Sequence, residues 1–109
     1  MNYVKITSIE EVRPGEMKGC TVEGRSILLA NVNDSYYAME NVCPHMGGIL
    51  SEGTLEEKRV ICPKHGSIFD VSTGKALQDG KILFLKAKVR DLMSYTVKVE
   101  GDDVFVDLG

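Results

Sequence analysis

Apolar and polar positions alternate at period two in short runs broken by turn residues, the pattern of an all-β sandwich or barrel. A strand over residues 20–22 is expected to turn at Glu23-Gly24-Arg25, because Gly24 can take the positive φ of a tight turn, into a second strand over 27–32. Asn33-Asp34-Ser35 then turns the chain into a strand over 36–40, which completes a three-stranded meander. Near the end of the chain Tyr95, Val97 and Val99 alternate with Thr96 and Lys98. After Gly101-Asp102, Val104, Val106 and Leu108 continue the period as the other arm of a hairpin. Helix signals are confined to one turn over 9–12, which Thr7 or Ser8 can cap and Pro14-Gly15 ends. The segment 47–80 is richer in glycine and turn residues and reads as an insertion between the flanking hairpins; no internal repeat, low-complexity tract or linker is evident.

A chain of 109 residues suits one domain with one modest core and one site. Hydrophobic and charged contents of 43% and 27% are those of an ordinary folded protein. A formal net charge of −3 gives no footprint for nucleic acid, which needs clustered Lys and Arg. The apolar runs 27–30 and 82–85 are strand-sized, far below the roughly 20 residues of a spanning helix, so no membrane anchor is expected. The N-terminal residues lack the features of a secretory signal, and a cytoplasmic location is the expectation. Three cysteines are too few for a disulfide scaffold, and their positions must decide their role.

Both histidines sit within three residues of a cysteine, in Cys43-Pro44-His45 and Cys62-Pro63-Lys64-His65, with sixteen residues between the two groups. A proline follows each of these cysteines directly and stiffens the turn. Two thiolates and two imidazoles are enough for one zinc ion or one two-iron cluster, and ligand count alone leaves the metal open. The third cysteine, Cys20, shares a strand face with Val22 and is expected to be a buried small hydrophobe.

The two groups, extended to Cys43-Pro44-His45-Met46-Gly47-Gly48 and Cys62-Pro63-Lys64-His65-Gly66-Ser67-Ile68-Phe69-Asp70, closely resemble the ligand loops of the Rieske family. The resemblance implies a Rieske iron–sulfur fold, an antiparallel β sandwich or barrel with an inserted cluster-binding subdomain at about residues 42–76 of a single domain, 1–109. It implies one [2Fe-2S] cluster, with Cys43 and Cys62 on one iron and His45 and His65 on the other, where the electron enters. Gly47, Gly48 and Gly66 would let backbone N–H groups approach the cluster sulfurs. Ser67 matches the position whose hydroxyl donates to a sulfur, whereas Phe69 stands where high-potential members have a tyrosine.

High-potential members also join the two loops by a disulfide, at the positions held here by Gly48 and Lys64. Its absence and that of the tyrosine imply a midpoint on the order of −150 to +100 mV. Coordinated histidines that lose their second proton more readily when oxidised would make the midpoint fall at alkaline pH. Many relatives carry a proline-containing loop after the second ligand loop; residues 77–92 contain none. Lys64 would place a positive charge near the cluster, and Lys58, Arg59 and Lys75 are interleaved with Glu52, Glu56 and Glu57 as a mixed face. Met46 fits an apolar contact at the cluster tip or packing under the first loop equally well.

No nucleophile and base pair and no phosphate-binding glycine loop remain, so no catalytic residues are assigned. The resemblance implies a soluble, monomeric one-electron carrier, the ferredoxin component between a flavin reductase and a terminal oxygenase. The alternatives are a small Rieske subunit of a larger reductase or oxidase, and a zinc-binding interaction module.

Overall fold

The computed structural model describes residues 2–44, 47–64, 66–78, 80–82, 85–87 and 90–109, with backbone alone for 80–82 and 85–87. Strand β3 (Arg25–Val32) organises the molecule, because its apolar residues are buried on both faces. Ile27 and Leu29 point into one core with Val12, Ala38, Val104 and Val106. Leu28 and Ala30 point into a second with Met39, Leu50, Val60, Phe69, Cys43 and Cys62. Period-two alternation along a single strand therefore divides the hydrophobic residues between two cores.

β3 pairs with β2 (Met17–Val22) and β4 (Ser35–Glu40), and the short β11 (Ser94–Tyr95) adds to the outer side of β4. The meander is thus as expected. Both of its connections are two-residue turns, with positive φ at Glu23, Gly24, Asn33 and Asp34. β1 (Tyr3–Ser8), β12 (Val97–Glu100) and β13 (Asp103–Asp107) form a three-stranded sheet in the order β1-β13-β12 that covers the first core. The C-terminal hairpin is present over β12 and β13, but Tyr95 lies on β11 and pairs with Ala38. Val99, on the outer strand of its sheet, is exposed.

The helical turn is a 3-10 turn over Ile9–Glu11, and Ser8, in the capping position, makes no side-chain cap. The Thr7 hydroxyl donates instead to the Glu11 carboxylate. Cys20 is half-buried rather than buried, because β2 is an outer strand; partial desolvation raises its thiol pKa.

Between β4 and β11 the chain makes a second four-stranded sheet, in the order β5-β6-β7-β8, from strands of three residues each: Thr54–Glu56, Arg59–Ile61, Ile68–Asp70 and Ala76–Gln78. Val60 and Phe69 are its wholly buried members, and they face the core that holds the two cysteines. Beyond β8, β9 (Gly80–Ile82) and β10 (Leu85–Ala87) pair as a hairpin, so 82–85 is not one strand: Ile82 ends β9 and pairs with Leu85, which opens β10. Leu83 and Phe84 lie outside the described residues. Among the described residues no helix is long and apolar enough to cross a membrane.

Candidate metal centre

Two six-residue loops carry the cysteines, and they are built alike. Residues 43–48 are flanked by the antiparallel pair Val42 and Ile49, and residues 62–67 by the pair Ile61 and Ile68. In the first loop the Cys43 N–H donates to Gly48 O at 2.8 Å and the Gly47 N–H to Cys43 O at 3.0 Å. In the second, the Cys62 N–H donates to Ser67 O at 2.8 Å and the Gly66 N–H to Cys62 O at 3.3 Å. The glycine in the fifth position has φ of 70° in one loop and 76° in the other, the left-handed region where a Cβ is costly.

Among the described residues, those of the first loop therefore have counterparts nineteen positions later, an internal correspondence that sequence reading did not find. Cysteine, proline and the fifth-position glycine match, while Ser67 corresponds to Gly48. His45, Met46 and His65 lie outside the described residues.

The loops meet over the second core. Cys43 and Cys62 are 2% and 3% exposed and share one cluster of buried side chains with Phe69, Leu50 and Leu92. The approach is closest at Gly48, where a Cβ would stand 3.0 Å from Cys62 Sγ and 3.3 Å from Lys64 Cγ. Gly48 is itself buried, whereas Gly47 and Lys64 are exposed. The two cysteines are thus buried while the outer edge of the loops meets solvent. Two buried thiols brought together from separate loops, over a glycine that leaves room at the sulfur, are a donor set suited to a soft metal or an iron–sulfur cluster. Ser67 is 2% exposed, and Phe69, with no exposed surface, is part of the core beneath the loops.

Several residues that sequence reading left without a role fix these loops. The buried Asn41 accepts from the Ser51 N–H at 2.8 Å, donates to Ser26 Oγ at 3.1 Å, and so pins the base of the first loop to β3. Asp70 accepts from the Ser72 N–H and hydroxyl at 2.9 and 2.6 Å and shapes the turn from β7 to β8. Gln78 Nε2 donates to Gly66 O at 3.2 Å. A strap over residues 90–93 links β4 to the turn between β7 and β8. Arg90 donates from both terminal nitrogens to Glu40 at 3.2 Å, Glu40 also accepts from the Met93 N–H at 2.7 Å, and the Leu92 N–H donates to Gly74 O at 2.7 Å. The hydrogen bonds from Arg90, with that from Met93, hold the Glu40 carboxyl below its usual pKa of 4.5 against partial desolvation.

Residues 2–82 match the Rieske [2Fe-2S] domain, and the chain belongs to that family. It is 34% identical over 106 residues to the ferredoxin component of a naphthalene 1,2-dioxygenase system from Pseudomonas aeruginosa, covering 97% of this chain and 95% of that protein. It is 41% identical over 108 residues to the biphenyl 2,3-dioxygenase ferredoxin component of Rhodococcus jostii (strain RHA1), covering 99% and 94%. A solved complex of reduced oxygenase and oxidised ferredoxin in carbazole 1,9a-dioxygenase contains a chain that superposes with a TM-score of 0.79 at 28% identity, covering 95% of this chain and 91% of that one. Within its family the protein is a Rieske ferredoxin, a carrier of single electrons on a [2Fe-2S] cluster rather than a catalyst.

Proposed function

We propose that Cys43 and Cys62 bind one iron and His45 and His65 the other, within a single domain whose residues 42–76 form the cluster-binding subdomain. The observation that carries the reading is the matched pair of loops, which brings both thiols into one buried core with Gly48 against Cys62 Sγ. When bound, the cluster accepts and returns one electron. The backbone N–H of Gly48 and the Ser67 hydroxyl would donate toward its sulfurs and favour the more negative reduced state, whereas the N–H groups of Gly47 and Gly66 are taken by the Cys43 and Cys62 carbonyls. The buried cysteines exclude water from the inner side, and the histidines would give the electron its route. Lys64 adds a positive charge beside that route.

The protein carries electrons from a flavin-dependent reductase to a terminal oxygenase, as a cytoplasmic monomer. The names of its relatives support the oxygenase, and the oxygenase–ferredoxin complex supports direct contact. Docking at the loop tips buries less than about 1,200 Å², small enough for rapid release.

Reduced-state electron paramagnetic resonance tests the ligand set. A rhombic signal with a low average g value is expected from the native protein, and its loss in Cys43→Ser and His65→Ala variants. Silence with full zinc occupancy refutes the assignment. Stopped-flow mixing with an NADH-dependent flavin reductase and an aromatic-ring terminal oxygenase tests the path, and failure of the reduced protein to reduce any such oxygenase counts against it.

A further inference from the structure

Gln78 lies directly across the β7–β8 ladder from Ile68, the residue that closes the second loop. Its side chain is exposed, yet its amide reaches back to Gly66 O at 3.2 Å. That carbonyl and the Ser67 N–H belong to one peptide unit, directly after His65 in the chain. Ser67 is buried beside the cysteines. The bond from Gly66 N–H to Cys62 O is 3.3 Å, against 3.0 Å for its counterpart from Gly47 to Cys43.

We propose that Gln78 is a positioning residue for the second ligand loop: its amide holds the Gly66–Ser67 peptide and, by polarising it, strengthens that peptide's N–H as a donor toward the cluster. A hydrogen bond accepted by a carbonyl draws electron density from its own amide, and linked bonds strengthen one another by about 10–30%. The effect is directional, because donors near the sulfurs favour the reduced state. Gln78 therefore acts on the potential through the backbone, without touching the cluster. This rests on the ligand assignment proposed above.

Gln78→Met keeps the length and neutrality of the side chain and removes the donor. The expected result is a roughly twofold smaller equilibrium constant for reduction, a midpoint lower by about 18 mV at about 59 mV per tenfold, with faster bleaching of the visible spectrum under an iron chelator. Leu77→Gln on the opposite face of β8, where Leu77 is 50% exposed, leaves both unchanged. An unmoved Gln78→Met midpoint overturns the proposal even if bleaching quickens, since a purely mechanical tether would alter retention alone. Absence of the rhombic signal from the unsubstituted protein overturns both this proposal and the ligand assignment. An intact signal with an unmoved midpoint overturns this one only.

Discussion

Gly48→Ala puts the loop geometry under the most direct test. The added Cβ would stand 3.0 Å from Cys62 Sγ, with Lys64 Cγ at 3.3 Å and Cδ at 3.5 Å. The lysine stem is exposed and can swing away; the sulfur is 3% exposed, packed in the core and held by the loop. Relief must come from Cys62, by several tenths of an ångström. Overpacking of this kind costs about 1–3 kcal/mol, and concentrated at a ligand it should weaken cluster retention by roughly ten- to hundredfold. Iron content, bleaching under chelator and the reduced-state resonance spectrum read that loss. Gly24→Ala is the comparison: Gly24 has φ of 78° and no described atom within 4 Å of its Cβ position. Its cost is backbone strain of about 1–2 kcal/mol, far from the sulfurs. It should lower the melting temperature and leave iron content and spectrum alone. A Gly48→Ala protein with native iron content, chelator resistance and spectrum would refute the account of the site.

Ser67→Ala removes a donor from the buried side of the second loop, and its midpoint, measured by voltammetry, should fall by roughly 40 mV for a loss of ~1 kcal/mol; a value equal to the native one removes the hydroxyl from the set of cluster donors. Lys64→Glu reverses an exposed charge beside the proposed electron route, so the midpoint should fall and the fall should shrink as salt is raised from 0.01 to ~0.5 M; a shift indifferent to salt argues against a through-solvent charge effect. Glu40 has a folded pKa below its ordinary 4.5, chiefly through the hydrogen bonds from Arg90. Its contribution is therefore complete above that ordinary value and is lost as pH falls through the folded one. In thermal melts Glu40→Gln should be less stable than the native protein at neutral pH, and the two curves should converge in acid. A gap that widens with acidification would contradict the sign.

The parts of the fold that sequence reveals are those where one face or one turn dominates. The meander was legible because Gly24 and Asn33-Asp34 mark two-residue turns between apolar runs, and turn chemistry fixes register locally. The ligand loops were legible in composition, since cysteine, proline and glycine recur there. Their equivalence was not, because Ser67 stands where the first loop has Gly48, and what the loops share lies in backbone bonds. The β5–β8 sheet escaped for a related reason: three-residue strands are too short to display a period, and the glycines around them read as loop. Cys20 misled because a sequence does not announce which strand will lie at the edge of its sheet. The strap from Arg90 to Met93 depends on contacts with Glu40 and Gly74, far away in the chain, and left no local signal.

An electron carrier works best when its site changes little between oxidised and reduced states, because solvent and protein must rearrange with every transfer. The inner half of this site is fixed by close packing of Cys43 and Cys62 among Leu50, Phe69 and Leu92. The backbone of each loop is fixed by two bonds of its own, and Asn41 and Gln78 tie the loops to β3 and β8. The outer half is different, since Val42, Gly47, Pro63 and Lys64 are exposed. Rigidity is thereby placed where the sulfurs need constant hydrogen bonding, and access where a partner must come close. The same division explains why substitutions on the two sides should have separable effects. Changes at Gly48, Ser67 or Gln78 should alter the potential or retention of the cluster, while changes in the exposed charge at Lys64 should act through the surrounding solvent and on the rate of encounter.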